Sequence, residues 1–274
     1  MSDCNHNCED CAKKKSGECK SGDFSVPQNA KSDIKKVIAV MSGKGGVGKS
    51  LVTELLAVEA SRRGLKTAIL DADITGPSIP TAFGVTERAK SDGQGVLPCR
   101  SQGGIGMMSL NLLVENPKDP VVWRGPVIAG AVKQFWSDVS WGDVDVMFVD
   151  MPPGTGDVPL TVFQSLPIDG VVVVTSPQDL VSLIVEKAIR MAEMMKVPVL
   201  GMVENMSVFK CPDCGKEHRI FGGDGSGALA AAHGITATAA LPIDPAFASA
   251  VDSGTVESVD TSALKAVVDA VIGE

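Results

Sequence analysis

The strongest constraint on the fold of this chain is a glycine-rich octapeptide that follows one apolar run and precedes another. Residues 37–41 form a short apolar run that predicts a buried strand, and residues 49–63 carry apolar side chains at helical spacing. The octapeptide fits G-x4-G-K-[ST] and consists of Gly43, Lys44, Gly45, Gly46, Val47, Gly48, Lys49 and Ser50. A strand, this loop and a helix in that order predict a phosphate-binding loop.

The residue types in this loop suit a nucleoside triphosphate and a magnesium ion. Glycines let backbone N–H groups approach the phosphates, and the helix N-terminus adds a favourable dipole. We expect Lys49 to reach the β- and γ-phosphates and the Ser50 hydroxyl to bind Mg²⁺. The alternative is a dinucleotide-binding G-x-G-x-x-G fingerprint with Asp71 as the ribose acid. That alternative leaves Lys49 and Ser50 without a role, so we prefer the phosphate loop.

Acidic residues that follow apolar runs are candidates for the same site. Asp150 comes directly after the run 145–149, a position that suits Mg²⁺ binding. Asp73 lies close behind the run 67–70, and we expect it to orient or deprotonate the attacking water. The amide of Gly154 is placed to sense the γ-phosphate, as a switch loop does.

The alternation of apolar runs and amphipathic segments predicts a doubly wound α/β fold with a mostly parallel sheet. Further strands are expected at 170–175 and 199–203, and further helices at 180–196, 225–232 and 261–272. The glycine-rich stretch 84–106 is expected to be an irregular surface insertion. We predict a polar, cysteine-rich N-terminal segment at residues 1–36 and one P-loop ATPase domain at residues 37–274.

Two cysteine groups predict metal sites. Cys211 and Cys214 form a C-x2-C pair, which fills half of a four-ligand site, and a two-fold dimer would supply the other half. Their spacing does not choose between Zn²⁺ and a [4Fe–4S] cluster. The N-terminal segment holds four further thiols, enough for one cluster or one zinc ion within a chain: Cys4, Cys8, Cys11 and Cys19.

Charge and composition disfavour two classes of partner. The net charge is −8 and aromatic residues make up 4% of the chain, which argues against a nucleic-acid-binding surface. No apolar run is long enough to cross a membrane, and the N-terminus lacks a secretory signal. We therefore expect a cytoplasmic protein with neither nucleic acid nor membrane as a partner.

Longer sequence blocks carry a resemblance to a known family. Lys44 within K-G-G-V-G-K-S resembles the extra lysine of deviant Walker-A ATPases, the group that contains MinD, ParA and the nitrogenase iron protein. Within that group the chain is similar to the Mrp/ApbC-type iron–sulfur cluster carriers. The blocks that carry this likeness are 71–80, 123–126, 150–157, 204–207, 211–215 and 221–225.

The resemblance implies a mechanism and a binding set. Two protomers would face each other, and Lys44 would reach the partner's nucleotide and neutralise charge in the transition state. Asn205 would bind the adenine, with Pro242 and Asp244 nearby. The family usually has Thr where this chain has Leu51, at the edge of the nucleotide site, so a hydroxyl that could contact the α-phosphate is missing.

The implied activity is slow, Mg²⁺-dependent ATP hydrolysis that opens and closes a homodimer. A [4Fe–4S] cluster bridging the Cys211 and Cys214 pairs would pass to apo iron–sulfur proteins. The alternative is a MinD/ParA-like positioning ATPase with a structural zinc site. The tail 261–274 argues against this alternative. It holds one Lys and two acids, whereas a helix that lies on a membrane favours basic residues.

Overall fold

The computed structural model describes residues 25–74, 76–93, 95–114, 123, 125–177, 179–222 and 225–273. The strands are β1 Ser32–Ile34, β2 Val37–Ser42, β3 Thr67–Asp71, β4 Cys99–Arg100, β5 Gly106–Met108, β6 Gly142–Val144, β7 Val146–Asp150, β8 Gly170–Thr175, β9 Val199–Glu204, β10 Phe209–Lys210, β11 Glu217–His218 and β12 Thr238–Ala240. The centre of the molecule is an eight-stranded sheet in the order β12-β9-β8-β2-β7-β3-β5-β4, parallel except for the edge strand β4. Two-stranded sheets join β1 to β6 and β10 to β11.

Helices cover both faces of the sheet. One apolar layer lies between the sheet and α1, α2 and α8, and the other lies beneath α3, α4, α5 and α6. The helices are α1 Lys49–Arg62, α2 Ile79–Ala82, α3 Gly125–Ser137, α4 Asp157–Ser165, α5 Asp179–Met194, α6 Gly225–Ala232, α7 Pro245–Ser253 and α8 Lys265–Ile272. The doubly wound, mostly parallel α/β prediction is confirmed.

The central strands are apolar because both of their faces are covered. Every residue of β2, β3, β7 and β8 is buried. In β7, for example, Met147 and Val149 pack under one helical layer while Phe148 packs under the other. A strand with two buried faces shows a continuous apolar run instead of an alternating one, which is why the sequence predicted these strands well.

The topology brings polar residues to one edge of the sheet. Parallel strands end at the same edge, and the register pairs Asp150 of β7 with both Val40 of β2 and Asp71 of β3. Further along that edge, Thr175 of β8 pairs with Glu204 of β9. The loops that follow these strands therefore form a single rim, which is where ligands bind in open α/β sheets.

The structure corrects the expectation for residues 84–106. Within this stretch Cys99 and Arg100 form β4, and Gly106 opens β5, which pairs with β3 in the main sheet. Ile105 is fully buried beneath it. The stretch is thus partly a sheet edge, and its many glycines concealed the two short strands.

The boundary predicted between residues 36 and 37 falls inside packed structure. Val26 donates its N–H to the carbonyl of Ser165 and accepts a hydrogen bond from the Trp136 indole. Ser32–Ile34 pairs in parallel with Gly142–Val144. Residues 25–36 are therefore held against the rest of the α/β domain. Among the described residues, no helix is long and apolar enough to cross a bilayer.

Candidate functional site

The glycine-rich loop leads into α1 through two glycines with positive φ. Gly46 and Gly48 have φ of 80° and 81°, a left-handed conformation that favours glycine. Gly48 precedes the first helical residue and provides no side-chain cap for α1. The first N–H groups of a helix have no partner within the helix, so those of α1 can bind an anion.

Two glycines of the loop are also required by close packing. A Cβ on Gly43 would lie 2.7 Å from the backbone of Ile184 in α5. A Cβ on Gly48 would lie 2.1 Å from Nδ2 of Asn205. The loop is therefore enclosed between α5 on one side and the residue that follows β9 on the other.

Lys49 and Asp150 form the buried centre of the site. Lys49 Nζ lies 2.7 Å from Asp150 Oδ1, and the two side chains are 6% and 1% exposed. Ser50 Oγ donates to Asp150 Oδ2 at 2.7 Å. Ser50 and Asp150 thus present adjacent oxygen atoms, the ligand type that Mg²⁺ prefers. Lys49, Ser50 and Asp150, which the sequence predicted for the phosphates and the metal, are brought together.

Thr53 is a member of this cluster that the sequence analysis missed. Its buried hydroxyl lies 2.8 Å from Asp150 Oδ1 and 3.0 Å from the carbonyl of Lys49. It stands four residues after Lys49, so the helix places both on the same face. That spacing is the signal from which its role could have been inferred.

Two further carboxyl groups lie behind the centre. Burial raises the pKa of Asp71 to about 8, with a further contribution from the nearby Asp150 carboxylate. Asp71 accepts hydrogen bonds from Ser109 Oγ and from the N–H of Asp73. Burial also raises the pKa of Glu54 well above its usual value, and among the described residues none hydrogen-bonds its Oε2. Burial in a low-dielectric site disfavours the ionised form of both carboxyl groups.

Asp73 sits at the open side of the cluster. Its Oδ2 lies 3.6 Å from Lys49 Nζ, and its side chain is 16% exposed. Solvent can therefore reach Asp73, whereas Asp150 is closed off. This placement suits a residue that orients water.

Gly154, in the segment that follows β7, contacts the strand that leads into the glycine-rich loop. The amide of Gly154, predicted to sense the γ-phosphate, donates to the carbonyl of Ser42 at 2.9 Å. To contact a phosphate it would have to exchange that partner.

Lys44 lies on the same rim and is half-buried, and its carbonyl accepts from Ser42 Oγ. Leu51, the residue after the loop, lines the small cavity above Lys49.

Of the three residues predicted near the adenine, Asn205 contacts the loop, whereas Pro242 and Asp244 line a neighbouring cavity. Asn205 Nδ2 donates to the carbonyl of Val47 at 3.0 Å. Asp244 caps the start of α7 by accepting from the N–H of Ala246. Pro242 lies between them in the chain and lines a cavity of about 1000 Å³.

The C-x2-C pair sits on a hairpin at the same rim. Phe209–Lys210 pairs with Glu217–His218, and the knuckle between them is closed by bonds from Cys211 N to Lys216 O and from Gly215 N to Cys211 O, each 2.9 Å. Cys211 is half-buried, lines the large cavity and has its pKa lowered by the backbone N–H groups of Cys214 and Asp213. Cys214 is exposed. A stabilised thiolate is the form that binds a metal.

Within the described ranges, no group of three or more His, Cys, Asp or Glu side chains is arranged to hold a metal ion. One hairpin therefore offers two thiol ligands, which is half of a four-ligand site. The N-terminal thiols Cys4, Cys8, Cys11 and Cys19 lie outside the described residues.

Comparison with known proteins places this geometry in a family. The model of the ParA family described as "NUBPL iron-transfer P-loop NTPase" matches residues 33–273. An iron–sulfur cluster carrier protein of Clostridium perfringens is 43% identical over 268 residues, which cover 91% of this chain and 93% of that protein.

Two solved structures also resemble this chain. A nucleotide-binding protein of Archaeoglobus fulgidus in complex with ADP is 44% identical and superposes with a TM-score of 0.75, covering 83% of this chain and 89% of that one. The cell-division ATPase MinD of Pyrococcus furiosus is 20% identical with a TM-score of 0.61, over 86% and 96% of the two chains. This second likeness is one of fold alone.

Proposed function

Because this chain belongs to the ParA family of NUBPL-type iron-transfer P-loop NTPases, we propose that it is an ATP-dependent carrier that assembles a [4Fe–4S] cluster between two copies of itself and delivers it to apo-proteins. The observation that carries the proposal is the presence of two chemistries on one rim. Lys49 and Asp150 stand at the phosphate loop, and Cys211 stands on a hairpin further along the same sheet edge. Two accessible thiol ligands beside a nucleotide site suit a protein that couples ATP to metal cargo.

The number of thiols supports a dimer. A [4Fe–4S] cluster takes four thiolates, and each hairpin supplies Cys211 and Cys214. A two-fold axis beside the hairpin would bring an identical pair from the second copy. The cluster is cargo, so ligands shared between two separable copies suit its release better than a closed site in one chain.

The nucleotide site supplies the means to close and open the dimer. Lys49 and the loop amides would hold the phosphates, and Ser50 and Asp150 would hold Mg²⁺, which neutralises phosphate charge when bound. Asp73 would orient the attacking water, and Lys44 would reach across to the partner's nucleotide. We expect slow turnover, because the closed state has to last long enough for cargo to be loaded.

The N-terminal segment is assigned to a second site. Four cysteines within residues 1–24 provide a full set of ligands for one [4Fe–4S] cluster in each chain. Free thiols on an exposed hairpin fit a reducing compartment, so we place the reaction in the cytoplasm.

The test is anaerobic reconstitution with iron and sulfide, followed by counting of both per chain and transfer to an apo [4Fe–4S] dehydratase. We expect Cys211→Ser and Cys214→Ser to abolish transfer and to lower the iron content, with dimers still forming in ATP. Cys99→Ser is the matched control, because Cys99 lies on the edge strand β4, away from the hairpin. Zinc bound in place of iron, or normal transfer by Cys211→Ser, would contradict the proposal.

A further inference from the structure

Asn205 joins the phosphate loop to the segment that carries the cysteine hairpin. The side chain is 3% exposed, and its Nδ2 donates to the Val47 carbonyl at 3.0 Å, directly over Gly48. Only five residues separate Asn205 from Cys211. A displacement of the phosphate loop therefore acts on the start of the segment that carries the metal ligands.

Met206, the next residue, has an unusual backbone conformation. Its φ is 60°, in the left-handed region that side-chain-bearing residues rarely adopt. The N–H of Met206 donates to Oδ1 of Asn205 at 2.9 Å, so the same amide that holds the loop also holds this conformation. Residues in rare conformations persist only when their surroundings enforce them, and they cluster at switch regions.

The chain beyond Met206 is fixed to neighbouring structure up to the hairpin. Both the N–H and the hydroxyl of Ser207 donate to the Leu241 carbonyl at 2.9 Å. Ile243 donates its N–H to the Val208 carbonyl at 2.7 Å. Residues 207 and 208 therefore shift only together with Leu241 and Ile243, and an ordered segment, not a loose loop, connects Met206 to the hairpin.

We propose that Asn205 and Met206 form a mechanical link through which nucleotide in the phosphate loop sets the position of Cys211. Nucleotide binding fixes the loop carbonyl that Asn205 holds, which in turn fixes the left-handed turn at Met206 and the hairpin after it. Met206 is a positioning residue that touches neither nucleotide nor cargo. The proposal rests on the proposed function, since it needs a nucleotide-binding loop and a working thiol pair.

The test measures alkylation of the metal-free protein by iodoacetamide, with and without ADP. Trypsin cuts after Lys210 and Lys216 and releases a peptide in which fragmentation separates Cys211 from Cys214. Cys99, in another peptide, is the internal reference. We expect ADP to slow the alkylation of Cys211 by about fivefold or more, the lower end of ordinary coupling between sites, and to leave Cys99 unchanged.

Met206→Gly should remove the difference between the Cys211 alkylation rates with and without ADP. Glycine adopts positive φ without support from Asn205, so the turn no longer depends on the loop. Its affinity for ADP should stay within about twofold of wild type, since Met206 makes no phosphate contact. Lys196→Gly is the matched control. Lys196 has a φ of 61° before the opposite end of β9, so it tests the same backbone change away from the rim.

The outcomes separate the two proposals. Should ADP bind while Cys211 reacts at the same rate, the link is wrong and the carrier function stands. Retention of full protection in Met206→Gly also overturns the link, because the protection would then come from direct covering of the hairpin. Failure of ADP to bind at all would overturn both.

Discussion

At the scale of single residues, the site is defined by an imbalance of charge. In the part of the chain that the structure describes, Lys49 is the one cation that contacts Asp150, while Asp71 and Glu54 lie buried behind it. Burial, together with the nearby Asp150, raises the pKa of both rear carboxyl groups. Asp150 lies in front, where it contacts Lys49, Ser50 and Thr53.

The Thr53 hydroxyl is expected to matter for ATP hydrolysis. Thr53→Val keeps the shape of the side chain but removes the hydrogen bond to Asp150. Because hydrogen bonds to charged groups are worth about 1.5–3 kcal/mol, kcat/KM for ATP should fall by about tenfold or more. Thr67→Val is the control, since Thr67 is also buried and its hydroxyl donates to the Leu65 carbonyl at the opposite end of β3 from the site. Equal rates in the two variants would remove Thr53 from the site.

Asp71 should make folding stability depend on pH. Its pKa is about 8 in the folded chain against an ordinary 3.8, so between these values the unfolded chain loses a proton that the folded chain keeps. The free energy of unfolding therefore falls as pH rises through this window. Asp71→Asn carries no titrating proton and can still pair with Ser109 and Asp73. From pH 5 to pH 8, the free energy of unfolding of Asp71→Asn should rise relative to that of wild type by more than about 1 kcal/mol, measured by urea unfolding. Parallel pH profiles would contradict the assignment.

The sequence predicted the front of this cluster and missed its support. Lys49, Ser50 and Asp150 stand in a loop pattern and at a strand end, where position alone indicates chemistry. Thr53 and Glu54 lie within a helix, and their contacts depend on how α1 crosses the sheet. Side-chain partners that tertiary packing creates leave little trace in local sequence.

At the scale of elements, prediction succeeded for a fully buried strand and for a largely exposed helix. The strand at 170–175 and the helix at 225–232 were predicted with the bounds that the structure has. Helices α3 and α4 were missed because Gly and Pro lie at or near their starts and disguise the helical spacing. Strand β5 was missed because it is three residues long and opens on Gly106.

The contact between the phosphate loop and α5 gives an element-scale prediction. Gly43→Ala would place a methyl group 2.7 Å from the backbone of Ile184, so the helix or the loop must move. Overpacking of this kind costs about 1–3 kcal/mol, which urea unfolding would detect. Gly45→Ala is the control in the same loop, because its nearest neighbour, Pro153, would lie 3.9 Å away. A stable Gly43→Ala protein that still binds ADP would show that the contact is dispensable.

At the scale of the whole molecule, one sheet edge carries both the nucleotide loop and the thiol hairpin. Parallel strands and right-handed crossovers place all of these loops on one rim. The apolar pattern of the strands predicted the parallel sheet, and the structure adds that the hairpin lies on the same edge as the nucleotide loop. The relation between two copies was not predictable from strand patterns, because it depends on surface shape. The hypothesis of a dimer came instead from the resemblance of Lys44 to the extra lysine of deviant Walker-A ATPases and from the count of two thiols per hairpin.

The dimer proposal leads to a complementation test. Lys44→Ala should be inactive because the partner's nucleotide loses its cation, and Asp150→Asn because its own site loses the carboxylate. In a mixed dimer, the site of the Lys44→Ala copy has an intact Asp150 and receives Lys44 from the other copy. Mixing the two inactive proteins should restore about a quarter of wild-type ATP hydrolysis, since half of random pairs are mixed and each holds one complete site.

If Lys44 acted within its own chain, neither site of the mixed dimer would be complete and the mixture would stay inactive. Unmixed samples at the same total concentration control for residual activity. Dilution supplies a second check, because activity that depends on pairing falls faster than the protein concentration. Restoration that persists unchanged on dilution would contradict a site shared between exchanging copies.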